Sequence, residues 1–386
     1  MSIRNSLVAF ACTALLLAGC SSGTSTADTD ATTDEAATTE ATETAAETTE
    51  ATDEAVDAAA DENPTPPWAD DLKEGEFIST TSSCPMGEHL DLFDEHTYTN
   101  PDTETHTIEY STPGPNNEGM ITGTLDVQVG DLTYYVYDPT AHGADPEGTY
   151  PVLLWFHGSG NALSGNFAIS AAGAEYFATD EWQAKFGPAY IICPLANEFA
   201  DENGSTMMNW ISHESGVNTS VYSSALKGLV DEFMTEHEGH TGKLAVVGTS
   251  AGGYMAYHYA LDYVDTVNAL LLMAPAYTPT EEELDTLEEA GFPILHLKSL
   301  HDEMLTYEEY TAPVRDKLDS MANVTNICTE WAKNGDGGVS SLFYGIEMGQ
   351  HCICASVGQD MMFDDGTPME EQIPAGVTGW FKEVLS

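Results

Sequence analysis

From residue 150 onward, apolar residues form short continuous runs, each bounded by turn-forming residues. Such runs are typical of strands that are buried on both faces of a parallel sheet. Five runs are predicted as strands, namely YPVLLWFHG, AYIICPLA, KLAVVGTS, NALLLMAP and FPILHLKS. Helix-like segments separate or follow them, at residues 221–236, 252–262, 280–289, 307–320 and 375–385. This alternation predicts an α/β fold, with a mostly parallel central sheet and helices on both of its faces.

The chain ahead of these runs has a different pattern. GTLDVQVG and LTYYVYDP alternate apolar and polar residues on either side of Val129-Gly130-Asp131, which predicts an N-terminal antiparallel hairpin. Residues 68–119 show little periodicity and are predicted as a loop-rich extension. The globular domain is therefore expected to span residues 120–386.

The N-terminus has the features of an export signal. A positive charge at Arg4 precedes an apolar run over residues 7–18, which is too short to span a bilayer. The run ends in Leu-Ala-Gly-Cys, which resembles the lipobox of bacterial lipoproteins. That resemblance implies removal of residues 1–19 and acylation of Cys20, so that the chain is exported and anchored to the outer side of the bacterial cell membrane. Several acyl chains would hold it firmly, at about 0.8 kcal/mol for each buried CH₂.

The next part of the chain is a low-complexity tract. Residues 24–63 consist almost entirely of Thr, Ala, Glu, Asp and Ser, a composition that cannot bury enough apolar area to offset the loss of chain entropy. Repulsion between like charges extends such a tract. Residues 20–67 are therefore predicted to be a disordered acidic spacer between the membrane and the globular domain.

The net charge of the chain excludes some classes of binding partner. The chain has 64 Asp+Glu and 10 Lys+Arg, for a formal net charge of −54. Such a surface repels nucleic acid and anionic lipid headgroups, and no basic stripe offsets the repulsion. No nucleic-acid partner is expected. A solvated surface accounts for the acidity, and an acidic docking face is the alternative.

The stretch LAVVGTSAGGYMAYHYA places a single serine among small residues where a predicted strand meets a predicted helix. Residues 248–252 fit G-x-S-x-G, the nucleophile elbow. The sharp turn strains the central residue, and glycines remove side chains that would collide with the strand and the helix. Ser250 is therefore predicted to be a nucleophile held at the positive end of the helix. A tightly packed loop without chemistry is the alternative.

A serine nucleophile needs a general base, and the base needs an acid that orients it. Asp302 follows the predicted strand PILHLKS, and His351 follows the last predicted strand, SLFYGIEM. Both positions lie at the same edge of the sheet as Ser250. Asp302 is predicted to be the acid and His351 the base. Glu303 is the second choice for the acid, and a plain surface carboxylate is the alternative for Asp302.

An acyl-transfer site also needs donors for the oxyanion, and one such donor contributes ~3 kcal/mol. The backbone N–H of Ala251 is predicted to be one donor. The motif HGSG, which follows an early strand, offers the N–H of Ser159 or else that of Gly160. His157 is expected to brace this loop. No metal site is predicted, because HEGH at residues 237–240 is interpreted as the end of a helix and no further cluster of ligands accompanies it.

The motifs HGSG, GTSAGG, HDEML and GQH occur in this order, and with them the chain resembles the α/β-hydrolase superfamily over residues 120–386. Within it the chain is most similar to secreted feruloyl esterases and polyhydroxybutyrate depolymerases, and more distantly to dienelactone hydrolases, which have Cys where this chain has Ser250. The resemblance implies hydrolysis of a carboxylic ester through an acyl-enzyme, without a cofactor. The substrate would be a small-molecule or polysaccharide-linked ester.

Other functions stay open. A serine peptidase of the same fold would use the same three residues on an amide. A catalytically silent surface binding protein would keep the fold alone, although the presence of Ser250, Asp302 and His351 together argues against it. Residues 195–216 form a long predicted loop with four large apolar side chains, Phe199, Met207, Met208 and Trp210. They are expected either to bind an acyl or aromatic group or to pack locally.

The cysteines suggest one cross-link. Outside the leader and the lipobox, five remain: Cys84, Cys193, Cys328, Cys352 and Cys354. Cys193 lies in an apolar run and is predicted to be a buried free thiol. Cys352 and Cys354 are expected to alternate on a strand and so not to pair with each other. An exported chain favours disulfides, so a bond from Cys328 to one of them is a hypothesis.

Overall fold

The structure is a computed structural model that describes the globular part of the chain with several gaps. The described residues are 87–113, 120–159, 161–197, 199–200, 206–207, 210, 220–237, 239–302, 304–330, 332–333, 350–351, 353–357, 362–363, 373 and 376–386. The lipobox with Cys20, the acidic tract, Cys84 and the predicted strand SLFYGIEM lie outside them. None of the helices within these ranges has both the length and the apolar composition needed to cross a bilayer.

An eight-stranded sheet forms the centre of the described part. Its strands, in chain order, are β1 Asp94–Tyr98, β2 Leu132–Tyr137, β3 Tyr150–Phe156, β4 Tyr190–Pro194, β5 His240–Thr249, β6 Ala269–Met273, β7 Ile294–Ser299 and β8 Val324–Thr329. Their order in the sheet is β1-β2-β4-β3-β5-β6-β7-β8. The last six strands of this order run parallel, and β2 is antiparallel to both β4 and β1. The predicted fold class is confirmed.

Helices cover both faces of this sheet. They are α1 Phe167–Ala171, α2 Asp180–Phe186, α3 Ser223–Glu236, α4 Ala251–Asp262, α5 Glu281–Ala290, α6 Tyr307–Tyr310, α7 Arg315–Ser320, α8 Ile353–Val357 and α9 Gly376–Leu385. Alternate residues of a strand point to opposite faces. Leu153 and Trp155 therefore pack in one core with α1, α2, α8 and α9, whereas Val152 and Leu154 pack in the other with α3, α4, α5 and α7.

The N-terminal hairpin is present, but the pairing predicted across Val129-Gly130-Asp131 is wrong. The strand Met120–Val127 pairs with His106–Pro113 in a separate two-stranded sheet. Strand β2 instead pairs with β1 and β4. Five of the six residues of β2 are buried, so this strand belongs inside the main sheet and not in a half-exposed hairpin.

The predicted loop-rich extension over residues 68–119 also needs correction. It contains β1, the edge strand of the main sheet, and the hairpin strand His106–Pro113. Four of the five side chains of β1 are exposed, so the strand has no apolar run by which sequence could reveal it. The domain therefore begins before residue 120.

Three further differences concern elements after β3. The predicted helix over residues 307–320 is two short helices, α6 and α7. The helices α1 and α2 and the strand β8 had no predicted counterpart. The segment after His351, predicted as a strand, is the helix α8. As predicted, HEGH marks a helix end, because α3 stops at Glu236 and the N–H of His237 donates to Phe233 O.

Candidate active site

Ser250 lies at the sharp turn between β5 and α4. Its backbone has φ 54° and ψ −122°, an unfavourable conformation for a residue with a side chain. The helix α4 begins at the next residue, Ala251. The turn thus holds the serine side chain at the carboxyl edge of the parallel strands, beside the N-terminus of a 12-residue helix.

Two glycines make this turn possible. A Cβ on Gly248 would overlap the carbonyl of Gly252, and a Cβ on Gly252 would overlap the carbonyl of Phe156 at the end of β3. The atoms that would be overlapped belong to the backbone, so no change of side-chain rotamer could make room for the Cβ. The two ends of the G-x-S-x-G motif are therefore required by the close approach of strand and helix.

A second strained turn supports the first. Ala274, directly after β6, has φ 45°, and it and Ser250 are the two non-glycine residues with positive φ in the described ranges. The N–H of Ser250 donates to Met273 O at 3.2 Å, and the N–H of Ala276 donates to Ser250 O at 2.8 Å. The end of β6 thereby clamps the backbone of the serine. Sequence analysis missed this contribution.

The three residues predicted for the triad lie in one hydrogen-bonded chain. Nε2 of His351 is 3.0 Å from Oγ of Ser250. Nδ1 of His351 is 3.0 Å from Oδ1 and 3.1 Å from Oδ2 of Asp302. Because the carboxylate can only accept, Nδ1 carries the proton and Nε2 is left as the acceptor for the serine hydroxyl. This is the arrangement that a serine nucleophile needs.

Asp302 is held by several donors at once. Its Oδ1 accepts from the N–H groups of Met304 at 3.0 Å and Leu305 at 2.8 Å, and its Oδ2 accepts from Nζ of Lys298 at 2.6 Å. Burial alone would raise the pKa of Asp302, but the hydrogen bond from His351 and the charge and hydrogen bond of Lys298 outweigh it and hold that pKa below its usual range. The carboxylate is therefore ionised. The second choice, Glu303, lies outside the described residues.

His351 follows Gln350 of the GQH motif, a residue to which the sequence gave no role of its own. Gln350 is fully buried, and its Oε1 accepts a hydrogen bond of 2.7 Å from Oγ of Ser299, the last residue of β7. His351 itself is 8% exposed. The link from Gln350 to β7 ties the backbone that carries the imidazole to the strand that carries the acid.

The predicted oxyanion loop lies next to the serine. A Cβ on Gly158 would stand 3.5 Å from Cβ of Ser250, so the loop that continues to Ser159 runs alongside this serine. Ala251, whose N–H is the other predicted donor, is the first residue of α4. Gly160, the alternative donor, lies outside the described residues.

His157 braces this loop, as predicted. Its Nε2 accepts from the N–H of Ala196 at 3.1 Å, so Nδ1 carries the proton and donates to Gly158 O at 2.6 Å. Burial lowers the pKa of His157 to about 4. The ring is therefore neutral near pH 7.

Two side chains of the predicted substrate loop pack inside the protein. Trp210 is fully buried, with its ring 5.3 Å from Phe156 and 4.9 Å from Tyr222. Phe199 is buried as well and stacks on Tyr222 at 5.8 Å. Local packing, and not ligand binding, therefore accounts for these two residues. Met208 and the rest of the loop's tip lie outside the described residues.

The predicted cross-link is wrong for the described cysteines. Cys193 is a buried free thiol, as predicted, and burial raises its pKa. Cys328 is also a free thiol, so it forms no disulfide with Cys354. Sγ of Cys328 lies near Oδ1 of Asn326, whereas Sγ of Cys354, on α8, lies near the carbonyl of Ala171. The two thiols thus have separate surroundings. Cys352 lies outside the described residues.

Comparison with known proteins gave one family-model match over part of the chain and several distant structural similarities. Residues 216–308, which include Ser250 and Asp302, match a family model described as serine aminopeptidase, S33. The comparison with curated protein sequences gave no match. Among solved structures, the chain is similar to a thermostable esterase with 14% identity over 62% of this chain and a TM-score of 0.43. The matched part spans 55% of that esterase, about half of its length.

Two further structures illustrate the range of similarity. A ferulic acid esterase matches with 12% identity over 59% of this chain and 92% of its own length, with a TM-score of 0.35. A thermophilic esterase from Thermogutta terrifontis matches with 14% identity over 72% of this chain and 99% of its own length, with a TM-score of 0.35.

The fold assignment depends on the order of the strands in the sheet. It also depends on the order of Ser250, Asp302 and His351 along the chain. The serine occupies the turn after a central parallel strand, and the acid and the histidine come later in the chain, which is the order of the elbow-type hydrolases. By its sheet, its elbow and its family-model match, this chain has the α/β-hydrolase fold.

Proposed function

We propose that this protein is a serine hydrolase that cleaves a carboxylic ester through an acyl-enzyme. The observation that carries the proposal is the continuous hydrogen-bonded chain from Oγ of Ser250 through His351 to Asp302. Ser250 is partly exposed, whereas His351 and Asp302 are buried, so a substrate can reach the serine hydroxyl while the acid is shielded from bulk solvent.

The reaction follows from the positions of these atoms. Nε2 of His351 takes the hydroxyl proton as Oγ of Ser250 bonds to the ester carbonyl carbon, and the carbonyl oxygen becomes an oxyanion held by the N–H groups of Ser159 and Ala251. Collapse of this intermediate expels the alcohol, which receives the proton from His351. Water then attacks the acyl-enzyme with His351 again as base, which releases the acid and restores Ser250.

The first test compares the wild-type chain with Ser250→Ala on a panel of p-nitrophenyl, aryl and sugar esters. The wild type is expected to turn over at least one ester and to take a fluorophosphonate label at residue 250. The variant is expected to lose both properties and keep the wild-type unfolding temperature. A folded wild type that accepts neither ester nor label would support a silent binding protein instead.

A serine peptidase is the second candidate, and the family model named for a serine aminopeptidase favours it. Aminoacyl and dipeptide p-nitroanilides separate the two activities, because an esterase leaves these amides uncleaved. Amide turnover that is faster than ester turnover and is lost in Ser250→Ala would replace the ester proposal with the peptidase.

We also propose that the chain is exported and anchored by acyl groups on Cys20, with residues 20–67 as the spacer. The support is the lipobox-like LAGC and the apolar run before it. Mass spectrometry of the chain isolated from a bacterial membrane should show an acylated cysteine as the first residue. A mature chain that starts elsewhere, or Cys20→Ala that stays membrane-bound, would contradict the anchor.

A further inference from the structure

Lys298 lies where a charged side chain is least expected, near the end of the buried strand β7. It is one of 10 Lys+Arg in a chain with 64 Asp+Glu, so most acidic residues have no basic partner. Among the residues whose burial the structure describes, it is the only buried lysine or arginine. An ammonium group in the interior is unfavourable unless it is paired and hydrogen-bonded. The ammonium group of Lys298 therefore requires a buried partner of opposite charge.

That partner is the acid of the proposed triad. Nζ of Lys298 lies 2.6 Å from Oδ2 of Asp302, and both side chains are fully buried. The same Nζ also donates to the main-chain carbonyl of Leu305. The N–H of Leu305 in turn donates to Oδ1 of Asp302 at 2.8 Å. The lysine thus closes the turn after β7 at two points, on the carboxylate and on the backbone beyond it.

The donors are divided between the two carboxylate oxygens. The backbone N–H groups of Met304 and Leu305 reach Oδ1, whereas Lys298 reaches Oδ2. Nδ1 of His351 lies 3.0 Å from one oxygen and 3.1 Å from the other. A rotation of the carboxylate about its Cβ–Cγ bond would break hydrogen bonds on both sides. These contacts therefore define the plane that the carboxylate presents to His351.

We propose that Lys298 is a positioning residue of the triad, which keeps Asp302 in its charged form and holds its carboxylate in the orientation that His351 requires. This inference rests on the proposed serine-hydrolase function and concerns only the acid end of the site. During attack by Ser250 the imidazole becomes positively charged, and a fixed, ionised Asp302 stabilises that charge. Lys298 contributes to the reaction through Asp302 and touches no reacting atom.

A double-mutant cycle on an ester that the wild type hydrolyses tests this role. The variants are Lys298→Met, Asp302→Asn and the two combined, with kcat, KM and the unfolding temperature measured for each. Lys298→Met is expected to lower kcat by roughly ten- to a hundredfold and to change KM by less than about threefold. In the Asp302→Asn background the same substitution is expected to change kcat by less than about threefold, since the charge on which Lys298 acts is already gone.

Lys317→Met is the matched control. Lys317 lies on α7 and pairs with Asp285 and Glu288 near the surface, so the same substitution there is expected to leave kcat unchanged. If Lys298→Met does not fold, Lys298→Gln, which keeps a hydrogen-bond donor without the charge, replaces it in the cycle. The combined variant has no charge at either position, so its unfolding temperature shows whether the fold tolerates the substitutions when no unpaired charge is buried.

Three outcomes overturn the inference. One is a folded Lys298→Met with the kcat of the wild type. Another is a fall in kcat by the same factor in both backgrounds, which would give Lys298 a structural role independent of Asp302. A folded wild-type chain that hydrolyses no ester removes the proposed function and this inference with it. The first two leave the proposed function intact, so the two failures are distinguishable.

Discussion

Two turns at the same edge of the sheet are stabilised in opposite ways. The nucleophile turn, residues 248–253, has a strained backbone and is possible because side chains are missing at Gly248 and Gly252. The acid turn, residues 298–305, depends on side-chain charge, since Lys298 and two backbone N–H groups surround the buried Asp302. An added side chain at a glycine should therefore disrupt the nucleophile turn, whereas a change of side-chain charge should disrupt the acid turn.

Asp302→Asn should have the largest effect on activity. It removes the charge of the acid turn at nearly constant side-chain volume. The amide cannot orient and stabilise the imidazole as the carboxylate does, so kcat should fall by roughly 10³- to 10⁴-fold. Steady-state kinetics and an unfolding curve check this together. A variant with wild-type kcat would show that the acid turn does not serve the reaction.

Gly252→Ala tests the nucleophile turn through volume alone. Its Cβ would overlap the carbonyl of Phe156, which is backbone and cannot rotate away. The free energy of unfolding should fall by about 3 kcal/mol, and activity should be lost with it. Gly130→Ala is the control, because no atom lies within 4 Å of its added Cβ. Urea unfolding measures both, and equal stabilities would refute the steric account.

Each turn has a buried histidine nearby, and both histidines should make the free energy of unfolding depend on pH. Burial lowers the folded pKa of His157, next to the nucleophile turn, and of His296, on the strand of the acid turn, to about 4. In the unfolded chain a histidine binds its proton near pH 6.5. The unfolded state therefore binds more protons between pH 6.5 and 4, and stability falls as the pH falls.

His296→Gln removes one of these two groups from the titration. The loss of unfolding free energy between pH 6.5 and 4 should become smaller by about 3 kcal/mol, the value of a pKa gap of this size. Urea unfolding at a series of pH values measures the slope. Parallel curves for the variant and the wild type would mean that His296 is not held neutral.

Ala274→Gly should have the smallest effect and the opposite sign. The residue has φ 45°, where glycine is unstrained, so the free energy of unfolding should rise by up to about 1 kcal/mol. The hydrogen bonds that clamp Ser250 come from the neighbouring residues Met273 and Ala276, so kcat should stay within about threefold of the wild type. A destabilised variant would show that the Cβ of Ala274 contributes packing that exceeds the strain.

Sequence patterns located five of the six parallel strands and the three residues that the structure brings together. Ser250 and His351 are 101 positions apart, and Asp302 and His351 are 49 apart. Ser250 and Asp302 could be predicted as neighbours because the carboxyl ends of parallel strands meet at one edge of the sheet, so that order along the chain implies proximity. The strand predicted before His351 lies outside the described residues. The partner of Met120–Val127 could not be predicted in this way, because an alternating strand carries no mark of its neighbour.

The edge strand β1 and Lys298 were missed for related reasons. Four exposed side chains gave β1 no apolar run, and its place is set by the backbone hydrogen bonds of β2. A lysine in the apolar run PILHLKS was visible in the sequence, yet its meaning depends on a carboxylate that the following turn brings back to it.

The sequence by itself determined the alternation of strands and helices and the tight turn at Ser250. Both follow from local rules, namely apolar periodicity and the steric limits of a backbone that only small residues can satisfy. The tertiary structure decided which strands are neighbours and how Lys298, Asp302 and His351 share their hydrogen bonds. These depend on burial and charge, which act between residues that only the folded chain brings within reach.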